Sequence, residues 1–521
     1  MFFSAVRMLG VSWITNNVYL INAMFDQKLL ANPTALASIC FQLDWYGVSS
    51  RIANDRFFTG GYTVDLLRKQ QVLADDSQGQ LTRCLSAFDL TLLGVGAIIG
   101  AGIFVVTGVV AATQTGPAIV FSYILAGLAC LFSALSYAEL AAAIGGCGSA
   151  YGYAYVGFGE IIAWIIGWDL LLEYTISIAA VAVGWSSYFS DLLAASQVHL
   201  PLTLRLGFMG DSMVNVFALF IIVVAAIFLI AGVKSSTRLN NWIVGVKLSV
   251  ILLFILVAAA HVSADNWVPF MPFGWVGVLK GASLIFFAYL GFDAVSTSAE
   301  EVVNPQRNLP IGIIGSLFVA TLLYLVVSVL LTGMVPYHSL NVASPMSHAM
   351  MMIGYRLVAA VVGVGALMGL TTVLLVLFYA VSRIFFAMAR DGLLPSYFSV
   401  LHETTKAPVR IILLCAVMVS FMAGLFSIGT LTELVNIGTL VAFAMVCAGV
   451  LVLRKTQPDL VRPFKTPGMP YVPLLGIVSC LILIASLSWV TIMRFIVWFV
   501  VGMIVYFSFS KKNSRLAESL P

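Results

Sequence analysis

Charged residues are scarce in this chain. Only 9% of its 521 residues are Asp, Glu, Lys or Arg, whereas a soluble domain carries roughly 25%. Hydrophobic residues make up 61% of the sequence, and the mean hydropathy is +1.05. A water-soluble fold could not cover that much apolar surface with so few charges, so the composition predicts a protein that crosses a membrane many times.

Paired cysteines and catalytic motifs are also lacking. The seven cysteines are scattered, with no CxxC pair and no histidine at metal-binding spacing. The five histidines form no HExxH pattern, and there is no GxSxG nucleophile motif. The sequence therefore argues against an enzyme, and we expect no metal and no cofactor. The net charge of +4 gives no reason to expect nucleic acid as a partner.

Long apolar runs are abundant. A helix needs about 20 apolar residues to cross a bilayer. Because backbone polar groups in lipid must bond within their own segment, each such run predicts a helix. The twelve predicted spans are 88–111, 117–142, 158–190, 213–232, 240–261, 275–298, 311–334, 357–388, 409–428, 432–453, 471–490 and 493–510.

Basic residues predict the orientation. If the N-terminus is cytoplasmic, the outer loops hold only Arg205, Arg356 and Arg494, and most other basic residues outside the apolar runs lie on the inner side. The positive-inside rule therefore places both termini in the cytoplasm. Residues 1–65 contain no clean apolar run and begin as a poor signal peptide, so we interpret them as an N-terminal extension of unknown order.

The first span carries five glycines between Gly94 and Gly108, and each costs a helix about 1 kcal/mol relative to alanine. Gly96 and Gly100 form a GxxxG pair, which is typical of close helix packing. Gly102 lies on a different face of the helix from this pair. A helix that packs through one face does not need a glycine there. The run therefore favours an unwound segment over a packing motif alone.

The sixth span contains Gly291 and Asp293 near its centre, where an acidic residue is expensive in lipid. Asp293 is explained if it caps a helix that restarts after Gly291, or alternatively if it pairs with a neighbouring helix. Spans one and six begin two halves of five helices each, and interruptions at such corresponding positions indicate a transporter binding site. The free N–H and C=O groups of two breaks could bind both ends of a zwitterion.

Longer motifs carry a family resemblance. They are AFDLTLLGVGAIIGAGIF at 87–104, YAEL at 137–140, GSAY at 148–151, FAYLGFDAVS at 287–296, EEVVNPQRNLP at 300–310 and ARDGLLP at 389–395. They resemble amino acid permeases of the amino acid–polyamine–organocation superfamily, and most closely the cationic amino acid transporter branch in its bacterial twelve-span form. The resemblance runs from about Leu66 to about Ser510. Gly145-Gly146 departs from it where relatives carry a proline.

The resemblance implies an all-α membrane protein of twelve transmembrane helices. These would form an inverted 5+5 helix repeat with broken helices 1 and 6, plus two C-terminal helices. The implied division is the extension at 1–65, a cytoplasmic lead-in and first repeat at 66–261, a second repeat at 262–453, and helices 11–12 with a cytoplasmic tail at 454–521. The protein would lie in a bacterial inner membrane and carry amino acids by alternating access.

Matching residue by residue gives an implied substrate site. Helix 1 would offer backbone groups, helix 6 would do the same and also supply an aromatic gate, and helices 3 and 8 would surround the substrate side chain. The residues in that order are Ile98, Ala101 and Gly102; Phe287, Ala288 and Leu290; the gate Phe292; and Glu173 and Leu370. Asp169, one turn before Glu173, is expected to be structural. The site leaves open whether the substrate is cationic or neutral.

Lys247 is the only charge in the fifth span. Its side chain could snorkel back to the cytoplasmic interface, or face the bundle, where burial disfavours the charged form and a proton gradient could load and unload it. Proton-coupled relatives carry a lysine at this position, where sodium-coupled relatives bind a cation. The resemblance therefore implies proton symport without bound sodium, with the ammonium bridging helices 5, 1 and 8.

A cytoplasmic gate is expected at Glu300, Glu301 and Arg307, with Glu139 and Arg390 as candidate partners; the alternative is a solvated loop. The expected partners are an amino acid, a proton and membrane lipid, and the sequence leaves open whether a small membrane protein also binds. Sodium-coupled or exchange-only carriers of the same fold remain alternatives. A channel would need a pore lined by rings of charge or carbonyls, which paired breaks and a lone lysine suit less well.

Overall fold

The computed structural model describes residues 85–514 apart from 145–148, 196–214, 232–235 and the single positions 343, 404, 406 and 427. All of these residues belong to the unit Leu67–Pro521. Within them the chain is helical and forms no strand, and its isolated β-bridge pairs Leu85 with Val302. The predicted extension at 1–65 and the Gly145-Gly146 pair lie outside the described residues.

The α-helices are numbered here in chain order. They are α1 (Ala87–Ile98), α2 (Thr107–Val110), α3 (Ile119–Ile144), α4 (Ser149–Gly157), α5 (Glu160–Ala195), α6 (Val216–Ile230), α7 (Ser236–Ala259), α8 (Gly274–Ile285), α9 (Pro305–Met334), α10 (Pro345–Met352), α11 (Arg356–Arg390), α12 (Val409–Leu425), α13 (Ile428–Thr456), α14 (Tyr471–Ala485), α15 (Trp489–Val505) and α16 (Lys511–Asn513). Single π-helical stretches lie at Gly102–Val106, Ala111–Thr115 and Tyr506–Ser510. Short 3₁₀ helices lie at Gly116–Ala118, Ala264–Trp267, Phe286–Tyr289, Asp293–Glu301, Tyr337–Leu340 and Ser396–Ser399.

Eight helical segments of the described chain are long and apolar enough to cross a membrane, and three shorter apolar helices, α6, α12 and α14, accompany them. The longest segment, Ala87–Ile144, spans 58 residues and contains both α1 and α3. The chain turns between them at Gly116, whose φ of 64° suits a residue without a side chain. Each of the predicted apolar runs contains an observed helix.

Helix α5 lies at the centre of the bundle. Its 36 residues extend about 54 Å at 1.5 Å per residue, well beyond a hydrocarbon core of about 30 Å, so a tilt is expected. It packs along α11 and α13, while α9 packs along α1 and α3. Glycines permit these close approaches, since a Cβ on Gly312 of α9 would lie 2.6 Å from the Cβ of Leu90. Helix α1 is therefore packed closely against α9 from its first turn, and its residues from Gly94 to Ile98 are buried.

Candidate substrate-binding site

The first interruption follows α1. A capping box at Ser86 and Asp89 starts this helix, and the helix ends at Ile98. Ile99 takes an extended conformation with ψ of 96°, and the chain resumes in the π-helical stretch from Gly102. The predicted unwound segment is confirmed. It leaves backbone carbonyls at the end of α1 without their helical donors.

The second interruption follows α8. The helix tightens to a 3₁₀ turn at Phe286–Tyr289, Leu290 has ψ of 140°, and Gly291 has φ of 115°. Asp293 does not cap the following helix, since the N-cap position is Phe292 and makes no side-chain bond. Instead, Oδ1 of Asp293 accepts the Gly291 N–H at 3.2 Å and Oδ2 accepts the hydroxyl of Tyr174. The break is confirmed, but Asp293 stabilises the interrupted residue rather than the restarted helix.

The two breaks lie against each other. A Cβ on Gly102 would lie 2.3 Å from the Cα of Ala288, and a Cβ on Gly291 would lie 2.8 Å from the Cβ of Ala97. Glycine is therefore required at both contacts for the backbones to approach this closely. The structure shows a closed arrangement in which the unwound segments touch.

Lys247 faces the bundle and does not snorkel to the surface. Its side chain is fully buried, and Nζ donates to the carbonyl oxygens of Gly96 at 2.9 Å and Ile99 at 2.8 Å. Its methylene chain passes Gly369 of α11, where a Cβ would lie 2.8 Å from the Cδ of Lys247. The lysine thus joins α7 to the end of α1 beside α11, which is the arrangement expected from the resemblance. Its role in coupling stays a prediction.

Two carboxyl groups on α5 are buried with at least one oxygen that has no hydrogen-bond partner among the described residues. Glu173 and Asp169 are each 3% exposed, and Oε2 of Glu173 and both oxygens of Asp169 have no hydrogen-bond partner among the described residues. Asp169 lies against α13, where a Cβ on Gly438 would come within 2.7 Å of its Oδ1. No hydrogen bond among the described residues therefore supports a structural role for Asp169. Both groups lie in the interior, where an unpaired charge is costly.

Aromatic rings surround the gate predicted at Phe292. This side chain is fully buried and packs 4.9 Å from the ring of Phe443 and 5.8 Å from that of Tyr137. The other predicted contact residues are all buried near the breaks or in α11: Ile98, Ala101, Gly102, Phe287, Ala288, Leu290 and Leu370. Sequence reasoning missed Tyr324 of α9, whose hydroxyl lies within hydrogen-bonding distance of the carbonyl oxygens of both Ile98 and Ala288.

The residues predicted to form a cytoplasmic gate are only partly described by the structure. The side chains of Glu300 and Glu301 lie outside the described residues, and Arg307 is exposed in the first turn of α9. Glu139, a candidate partner of this gate, has other contacts among the described residues. Its carboxylate forms a bidentate ion pair with Arg454, at 2.9 and 2.7 Å, and accepts the Thr466 N–H at 2.7 Å. Glu139 and its two partners are more than 300 residues apart in the chain, so the local sequence does not reveal these contacts.

These features define a class of protein. A helical bundle in which two interrupted helices lie in contact is typical of membrane carriers. The model of the amino acid permease family matches residues 85–510. This chain therefore belongs to the amino acid permease family, whose members are transporters and not enzymes.

Several curated proteins are similar to the chain. The methylthioribose transporter of Bacillus subtilis is 50% identical over 85% of this chain and 96% of its own length. The branched-chain amino acid permease BcaP of the same organism is 47% identical over 86% of this chain and 97% of its length. The vacuolar cationic amino acid transporter 4 of Arabidopsis thaliana is 39% identical over 76% and 68%. The cationic branch expected from the motifs is thus among the relatives.

Proposed function

We propose that this chain is a secondary active transporter that moves amino acids across a bacterial inner membrane by proton symport with alternating access. The observation that carries the proposal is the pair of bonds from Lys247 to the Gly96 and Ile99 carbonyls. A charged ammonium holds α7 to the interrupted helix, and loss of its proton weakens both bonds. A proton gradient across the membrane can therefore drive this step.

The architecture supports twelve spans with both termini in the cytoplasm. The segment Ala87–Ile144 divides at Gly116 into two crossings, and the other seven long segments and three short apolar helices supply ten more. Residues 66–261 and 262–453 would form the inverted repeat, with one break near the start of each half. Basic residues at the inner ends of the spans support the orientation.

The proposed substrate site lies between the breaks. The backbone of Ile98, Ala101 and Gly102 would face that of Phe287, Ala288 and Leu290, with Phe292 as gate. Glu173 and Leu370 would line the space for the side chain. Carbonyls without a helical N–H donor, at the end of α1 and at the 3₁₀ turn of the second break, offer a site for an ammonium. On the cytoplasmic side, Glu300, Glu301 and Arg307 would close the path.

The substrate itself has two candidates. The relatives named for branched-chain and cationic amino acids favour an amino acid. The relative named for methylthioribose, which is 50% identical, makes a neutral thiosugar a second candidate. Competition against uptake in proteoliposomes by all twenty amino acids and by methylthioribose, at two pH values, separates them. An amino acid substrate predicts inhibition by at least one amino acid and none by the thiosugar.

The coupling is tested with Lys247→Gln. Uptake driven by a pH gradient should vanish, because the amide cannot bind and release the proton. Counterflow exchange with substrate on both sides should survive. Lys280→Gln is the matched control, because Lys280 is an exposed lysine on α8. Replacing sodium with choline at fixed pH should leave wild-type uptake unchanged. Full proton-driven accumulation by Lys247→Gln would refute proton coupling through this residue.

A further inference from the structure

One hydroxyl spans both interruptions. Tyr324 lies in α9 and is fully buried. Its phenol oxygen is 2.8 Å from the carbonyl oxygen of Ile98 and 2.7 Å from that of Ala288. Ile98 is the last residue of α1, and Ala288 belongs to the 3₁₀ turn before Leu290. A single side chain from a third helix therefore contacts a carbonyl of each break.

Both carbonyls lack a helical N–H donor because the helices stop there. The chain turns to an extended conformation at Ile99, so the helix does not continue past the Ile98 carbonyl. After Ala288 the chain departs from the turn at Leu290, and the Gly291 N–H bonds to Asp293. A buried carbonyl without a donor is costly. The Tyr324 hydroxyl lies within hydrogen-bonding distance of both in this closed structure.

The compensation is incomplete for a simple chemical reason. A phenol carries one O–H, so it can donate to only one of the two carbonyls at a time. The second carbonyl then faces an oxygen lone pair at hydrogen-bonding distance. An ammonium has three N–H donors and a positive charge, and it would satisfy both carbonyls with stronger bonds. The site is thus better matched to a primary ammonium than to the hydroxyl that fills it.

The phenol is held firmly in this position. Its ring centroid lies 5.3 Å from those of both Tyr123 and Tyr289. The hydroxyl of Tyr289 donates to the backbone carbonyl of Tyr123 at 2.9 Å. The neighbouring rings therefore fix where the Tyr324 hydroxyl points. Its contact with the two breaks follows from the packing of three helices.

We propose that Tyr324 takes the place of the substrate's ammonium group when the carrier is empty. Its hydroxyl closes the empty site by bonding the carbonyls of Ile98 and Ala288, and it gives them up to a primary ammonium when substrate binds. The empty carrier can then close and return, as net uptake requires. This inference rests on the proposed function. It differs from the coupling role of Lys247, whose Nζ contacts the carbonyls of Gly96 and Ile99.

The test compares Tyr324→Phe with Tyr289→Phe in proteoliposomes. Both variants keep the ring and lose a buried hydroxyl. Tyr289 lies in the 3₁₀ turn of the second break, but its hydroxyl donates to the Tyr123 carbonyl, whereas the hydroxyl of Tyr324 contacts the Ile98 and Ala288 carbonyls. Net uptake into empty vesicles should fall about tenfold in Tyr324→Phe, because the empty closed state loses its bonds. Exchange between saturating pools on both sides avoids that state and should stay within about twofold of wild type. Tyr289→Phe should leave the ratio of net uptake to exchange unchanged.

A binding measurement provides a second readout. In purified Tyr324→Phe the substrate no longer competes with the hydroxyl, so its dissociation constant should fall several-fold, whereas a merely structural defect would raise it. Equal losses of net uptake and exchange, or the same ratio change in Tyr289→Phe, would overturn the inference. If Tyr324→Phe does not fold, the wild-type protein still tests the inference. The N,N,N-trimethylated substrate has no N–H donors for the two carbonyls. If wild type bound it as tightly as the primary amine, the inference would also be overturned.

The outcomes separate the inference from the function on which it rests. A wild-type protein that shows no saturable transport or binding of any amino acid refutes the proposed function. A wild-type protein that transports an amino acid, while Tyr324→Phe keeps the wild-type ratio of net uptake to exchange and the wild-type dissociation constant, refutes only the role of Tyr324.

Discussion

Replacing Gly102 with alanine tests whether the two breaks must touch during transport. The new Cβ would lie 2.3 Å from both the Cα and the Cβ of Ala288, where ordinary contacts are 3.4–4 Å. The segments must therefore separate by about 1 Å, and the clash includes backbone, which cannot rotate away. Overpacking of this kind typically costs about 1–3 kcal/mol, which shifts the equilibrium away from the closed state by about fivefold to 150-fold.

The assay is transport in proteoliposomes beside the thermal stability of the purified protein. Both rates should fall in Gly102→Ala, because net uptake passes through the empty state in which the breaks touch, and exchange requires the substrate to bind at the backbone of Gly102. Gly245→Ala is the matched control, because Gly245 lies in helix α7 with no atom within 4 Å of the place that a methyl group would take, and alanine there should be tolerated. Wild-type rates of exchange and net uptake in Gly102→Ala would refute the reasoning.

Other substitutions test separate parts of the structure. Gly291→Ala should lower the melting temperature more than Gly354→Ala: both glycines have positive φ, 115° and 90°, but only Gly291 has neighbours, at Ala97, that a methyl group would strike. Thermal denaturation of the two variants measures the difference, and equal losses would show that backbone strain alone acts. Glu139→Gln should destabilise the protein by about 2 kcal/mol, because Arg454 loses the carboxylate with which it pairs. The loss is smaller than for a fully buried pair because the Arg454 side chain is 25% exposed and can still reach water. An unchanged melting temperature would show that the pair contributes nothing.

The positions of the breaks could be predicted because they disturb a strong local pattern. Helices in lipid favour uninterrupted apolar residues, so the glycines around Gly100 and the Gly291–Asp293 pair stand out. Lys247 stands out for the same reason, as a lone charge in an apolar run. The physical cost of each feature in lipid is what makes the sequence informative there.

The contacts of Tyr324 and Glu139 could not be predicted in the same way. A tyrosine within an apolar helix is typical of a packed core, and the two carbonyls that Tyr324 meets lie 226 and 36 residues away. Glu139 meets Arg454 across 315 residues. Such pairings depend on how helices pack, and no local spacing encodes them. The sequence predicts that Asp293 lies at the break. It does not predict which groups its carboxylate contacts.

The most direct test is a structure of the protein with an amino acid substrate bound. If two broken helices bind the substrate through their backbones, its ammonium should lie within about 3 Å of the Ile98 and Ala288 carbonyl oxygens. Its carboxylate should lie against free N–H groups near Gly102. A bound amino acid located away from both breaks, with the Gly102–Ala288 contact intact, would contradict that claim.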